Sequence, residues 1–96
     1  MNLEFLLQPR VWCVLRELKW GDRFERDLVE KIANIEGGPE RISEISDRLL
    51  KMGLVYRLRG DQGSPYLCLT DKGQLVTDRL IEVQDVLESD EPSPGT

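Results

Sequence analysis

The apolar positions of this chain fall into blocks whose spacing changes from helical to alternating and back to helical. Val11, Trp12, Leu15 and Leu18 recur every three to four residues, and Pro9 stands where a first helical position tolerates it. This predicts a helix over residues 9–19, ended by the Trp20-Gly21-Asp22 break. Asp22 is placed to cap a second helix whose apolar face is Phe24, Leu28, Ile32 and Ile35, and Gly37-Gly38 then turns the chain. Ahead of these, residues 3–7 (LEFLL) form an apolar run too short to separate a helical turn from a strand.

A third helix, residues 39–52, has Pro39 at its first position and buries Ile42, Ile45, Leu49 and Met52. Gly53 ends it, since glycine readily takes the left-handed conformation of a helix C-cap. The period then drops to two. Leu54, Tyr56 and Leu58 alternate with Val55, Arg57 and Arg59, as in a half-exposed strand over 54–59. Residues 60–65 (GDQGSP) are dense in turn formers, and 66–69 read as the returning strand. Thr70 and Asp71 suit the start of a last helix, in which Val76, Leu80, Val83 and Leu87 make an apolar stripe flanked by Leu75, Ile81 and Val86. The acidic tail, residues 89–96 (SDEPSPGT), holds no hydrophobe and is expected to be disordered.

Length and composition narrow the class. The 96 residues suffice for one domain with one core, here residues 1–88, and 40% apolar with 32% charged residues fits a folded soluble protein. No apolar run approaches the roughly 20 residues needed to span a bilayer, and the N-terminus makes a poor signal peptide, so a cytoplasmic location is expected. The net charge of −5 is uneven: residues 70–96 carry 2 basic and 7 acidic groups, whereas residues 1–69 are neutral. Total charge therefore neither favours nor excludes a polyanionic partner.

The order helix, helix, helix, strand, strand, helix is that of a winged helix-turn-helix domain. The spaced residues Pro39, Arg48-Leu49, Gly53-Leu54-Val55 and Leu69-Thr70-Asp71-Lys72-Gly73 make the stretch 28–80 resemble the MarR-like transcription regulators. The fold class so implied is mainly α with a small β-hairpin wing, extended by an amphipathic C-terminal helix. The resemblance implies sequence-specific binding of double-stranded DNA as a dimeric regulator, with helix 39–52 in the major groove and wing 54–69 on the flanking backbone or minor groove. Its DNA contacts would fall on Glu40, Arg41, Ser43, Glu44 and Arg48 of that helix and on Arg57 and Arg59 of the wing.

Two residues of that set depart from a basic pattern. With Ile42 facing inward, Glu40, Ser43, Glu44, Asp47 and Lys51 occupy the outward face, with Arg41 and Arg48 on its flank. A glutamate accepts a hydrogen bond from cytosine N4 but is repelled by phosphates, so the helix either reads DNA selectively or serves as the acidic face of a protein-interaction adaptor. Arg23 and Arg26 interleave with Glu25, Asp27 and Glu30 at salt-bridge spacing, which favours ordinary surface pairing. The terminal apolar segments exceed what the core needs, which points to a homodimer presenting two recognition helices.

No catalytic or cofactor chemistry assembles from these residues. The chain has no histidine, and Cys13 and Cys68 lie in separate apolar segments, as small buried hydrophobes do. Trp12 and Trp20 read as core and rim packing. No nucleophile with a base, paired-carboxylate cleft or glycine-rich phosphate loop is present, so an enzyme is not expected, no cofactor is called for and no small-molecule effector is named.

Overall fold

The structure, a computed structural model, describes residues 2–37 and 41–89. Its elements are α1 (Asn2–Leu6), α2 (Pro9–Lys19), β1 (Arg23–Phe24), α3 (Glu25–Ile32), α4 (Ile42–Lys51), β2 (Val55–Arg59), a short 3-10 turn (Asp61–Gly63), β3 (Pro65–Leu69) and α5 (Asp71–Glu88). The helices pack around Val14, Leu15, Leu28, Ile45 and Leu49, all fully buried, and Leu54, Val55 and Leu67 close this core from the sheet side. It is a winged helix: mainly helical, with a small antiparallel sheet.

The join from α4 into the wing is fixed by backbone hydrogen bonds. Gly53, at φ 74°, donates its N–H to the Leu50 carbonyl at 3.0 Å, and Leu54 donates to Leu49 at 3.0 Å. These two bonds make a Schellman cap, which needs a left-handed residue at the position Gly53 holds. Two further contacts lock the far end of the wing onto the same spot. The Thr70 N–H donates to the Leu54 carbonyl, and the Thr70 hydroxyl donates to the Gly53 carbonyl while accepting from the Gly73 N–H at 2.9 Å. Thr70 is thus both the N-cap of α5 and the clamp that closes the hairpin.

Several expectations change. Residues 3–6 of the run 3–7 lie in a helix, α1, which carries the buried Phe5 and Leu6, and Leu7 follows it in a turn. Arg23 and Phe24 do not begin a helix. They pair with Leu67 and Tyr66 of β3, so the sheet has three strands in the order β1-β3-β2, and Phe24 rather than Asp22 is the N-cap of α3. The edge-to-face contact of the Phe24 and Tyr66 rings, 5.8 Å between centroids, outweighs the helical spacing of Phe24. α3 ends at Ile32, leaving Ile35 half-buried beyond it.

The third helix starts later than its proline implied. Arg41 is extended (φ −107°, ψ 135°) and is the N-cap, so α4 begins at Ile42; Pro39 and Glu40 lie outside the described residues. The faces of β2 also reverse the hydropathy pattern. Val55 is buried, whereas Tyr56 and Leu58 are exposed. Antiparallel partners share a face, so Tyr56, Leu58, Cys68, Tyr66 and Phe24 point outward, and Val55, Leu67 and Arg57 point toward the helices. Trp20 does not pack at the rim but stands 81% exposed, while Trp12 is half-buried under the guanidinium of Arg16.

Both thiols are only partly buried; burial, then the negative charge of Glu17 for Cys13 and of Asp22 for Cys68, pushes them above the usual range. α5 runs as expected through Glu88. Val76 and Leu80 pack against the core, but Val83, Val86 and Leu87 are exposed. Of the acidic tail 89–96, all but Ser89 lies outside the described residues.

Candidate nucleic-acid interface

The outward face of α4 and the wing beside it form the surface that the sequence singled out. Ile42, Ile45 and Leu49 turn α4 inward, which leaves Ser43, Glu44, Asp47 and Lys51 exposed on the other side. The arginines of the set do not converge on this strip. They divide between its two edges.

On the edge facing α1, Arg48 lies over the ring of the buried Phe5, 4.0 Å from its centroid. This stacking holds a cation at the surface with no acidic partner among the described residues and pins the last turn of α4 to α1. Arg41, at the start of the helix, lines a surface recess of about 430 Å³ with Arg10, Val29, Ile32, Ala33, Ile42 and Ser43.

On the edge facing the wing, Arg57 is not a solvated strand residue. Its Nε donates to Glu25 Oε2 at 2.9 Å and its Nη2 to Asp47 Oδ1 at 2.8 Å, with a longer contact from Nη2 to the Ser43 carbonyl at 3.5 Å. One side chain therefore joins β2 to the first turn of α3 and to the outward face of α4. Burial lowers the affinity of this guanidinium for its proton, but hydrogen bonding to Asp47 and the charge of Glu25 outweigh it, and the net shift is upward. The charge of Asp47 on the acidic strip of α4 is thus partly offset by a cation from the wing that Glu25 shares.

Two more arginines meet at the tip of the wing, Arg59 from β2 and Arg26 from α3. Arg59 donates to the Gly63 carbonyl at 2.8 Å, closing the turn in which Gln62 and Gly63 both have positive φ. Arg26, expected to pair with neighbouring acids on its own helix, instead lies 4.5 Å over the Phe24 ring and donates to Ser64 Oγ at 3.1 Å. It thereby ties α3 to the wing tip. No local signal could have shown this, because Ser64 is 38 residues away in the chain. Arg23 donates to the Asp22 carbonyl and also has no acidic partner among the described residues.

Among the described residues, no group of three or more Cys, Asp or Glu side chains is placed to hold a metal ion, and no helix is long and apolar enough to cross a membrane. The arrangement offers polar and charged side chains on one exposed helix, flanked by arginines on a hairpin. Such a surface can form hydrogen bonds and ion pairs.

No family model matches the chain, and no curated protein matches it by sequence. Its fold is similar to that of a MarR family regulator from Neisseria meningitidis, with a TM-score of 0.68 and 23% sequence identity. The likeness covers 90% of this chain and 61% of the regulator, so the chain spans less than two thirds of the length of the structure it matches. At that identity the likeness is one of fold: this chain has the winged-helix architecture of a MarR family regulator.

Proposed function

We propose that the chain binds double-stranded DNA in a sequence-specific manner as a dimeric transcription regulator. The observation that carries this reading is the exposed outward face of α4, held at a fixed angle to the wing by Arg57, Glu25 and Asp47 within a winged-helix fold. A helix of this kind fits the major groove, and contacts from its first turns read base edges. Ser43 and Glu44 occupy that position, with Arg41 just ahead of them. Arg59 and Arg26 at the wing tip, and Arg48 on the opposite edge, are the cations this reading assigns to phosphates, since phosphate contacts fix register and base contacts give specificity. Arg57 serves this interface by tying Asp47 and Glu25 to the wing; one guanidinium against two carboxylates leaves the trio negative, so its part is to position α4 rather than to add positive charge.

Dimerisation is assigned to the terminal helices. The second half of α5 leaves Val83, Val86 and Leu87 exposed, and Leu3 and Leu7 of the N-terminal segment are also exposed. An apolar stripe of this length on one helix suits a second copy of the same chain, and a twofold pair presents two copies of α4 to successive half-sites. The neighbouring structure, described as that of a MarR family regulator, supports the regulator part of the proposal. Binding of duplex oligonucleotides by the full chain at stepped salt concentrations tests it. If Glu44 and the acidic face of α4 instead serve a protein partner, no duplex binds even at low salt.

A further inference from the structure

We propose that Glu44 is the specificity-determining residue of α4 and that it selects a cytosine in the major groove. This rests on the reading of the chain as a duplex DNA binder and adds to it the base that is read.

The four exposed side chains on the outward face of α4 are not equivalent. Asp47 is held by Arg57 at 2.8 Å and turned toward the wing. Lys51 is the last residue of the helix. Glu44 sits in the first turn, exposed; its backbone N–H donates to the Arg41 carbonyl, but among the described residues its carboxylate has no hydrogen bond or ion pair. No side chain caps this helix start, so the Glu44 charge is favoured there by the positive end of the helix dipole. A helix-turn-helix uses the N-terminal residues of its second helix to touch base edges, and Glu44 is the free carboxylate in that place.

An ionised carboxylate only accepts hydrogen bonds. In the major groove guanine shows two acceptors, thymine an acceptor and a methyl group, and adenine a donor beside the acceptor N7. Cytosine alone shows a donor, N4, with no acceptor on its own major-groove edge. Glu44 is therefore satisfied by cytosine and faces an acceptor or a methyl group at every other base. Because a carboxylate brought near phosphates without a donor is a desolvated, repelled charge, its contribution is discrimination against wrong sites more than affinity for the right one.

The experiment is selection of sequences from a random duplex pool by the full-length chain and by its Glu44→Gln and Glu44→Ala variants. The wild type is expected to fix a C·G pair at one position, and replacing that pair is expected to weaken binding by about tenfold. Glu44→Gln should move the preference at that position toward adenine, whose N6 and N7 glutamine meets bidentately, and Glu44→Ala should erase it there while the other positions stay as they were. Recovery of the wild-type sequence unchanged by both variants would overturn the assignment. Selection of no sequence by the wild type would instead overturn the DNA-binding reading beneath it.

Discussion

The guanidinium of Arg57 lies 2.8 Å from the carboxylate of Asp47, and the same group reaches Glu25 on a different helix. The two acids are unequal partners. The Glu25 side chain is 12% exposed and that of Asp47 63%, so the Glu25 bond is formed in a drier place and is the harder one to lose. Arg57→Met is expected to destabilise the fold by about 1–2 kcal/mol, because it leaves Glu25 partly buried and unpaired. Asp47→Asn should cost less, at most about 1 kcal/mol, the upper end for an exposed pair. Arg57→Lys should not restore stability, since an ammonium cannot span both carboxylates as the planar fork does. Urea unfolding of the three variants checks the order.

Gly73 is required where α5 meets the wing. A side-chain carbon there would overlap the Leu54 carbonyl oxygen, a backbone atom that is itself bonded to Thr70. Gly73→Ala is therefore expected to cost about 3 kcal/mol or more, as overpacking against backbone does at the upper end. Thr70→Ala removes the cap and the clamp together, for about 1–2 kcal/mol. Thermal melts followed by circular dichroism measure both.

Thr77 is fully buried in α5, and its hydroxyl has no hydrogen-bond partner. A buried hydroxyl left unpaired carries a desolvation cost, and valine has nearly the same shape without it. Thr77→Val is expected to raise stability by up to about 1 kcal/mol. Ser46→Ala in α4 repeats the test, because the Ser46 hydroxyl is buried and unpartnered in the same way. A loss of stability in both variants would show that these hydroxyls are satisfied in solution.

Val83 and Leu87 lie on the exposed half of α5 and are 55% and 79% exposed in the single chain. The double change Val83→Glu, Leu87→Glu should leave the helical signal intact while converting a dimer to a monomer in sedimentation. A wild-type chain that already sediments as a monomer contradicts the dimer.

The parts of this fold that were legible in the sequence are those made by bonds between near neighbours. Gly53 announces the end of α4 because its Schellman cap is closed by residues only a few positions back, and Thr70 with Gly73 announces the start of α5 in the same way. What stayed hidden depends on partners far along the chain. β1 is two residues long, too short to show a period, and exists because Leu67 and Tyr66 lie beside it. The inward turn of Arg57 is set by Glu25, 32 residues earlier, so alternation alone placed it on a solvated face. Arg48 was legible as a flank residue of α4, but Phe5 beneath it was not, because the run 3–7 had no readable period.

The most direct test of the account is the affinity of the full-length chain for duplex DNA as a function of salt. Binding is expected to weaken steeply and linearly in log–log form as salt rises, with a slope near −0.9 for each phosphate neutralised. Arg59→Ala should make that slope shallower by about 1 and weaken all duplexes alike. Absence of binding to any duplex at low salt, or binding that does not change with salt, would contradict it.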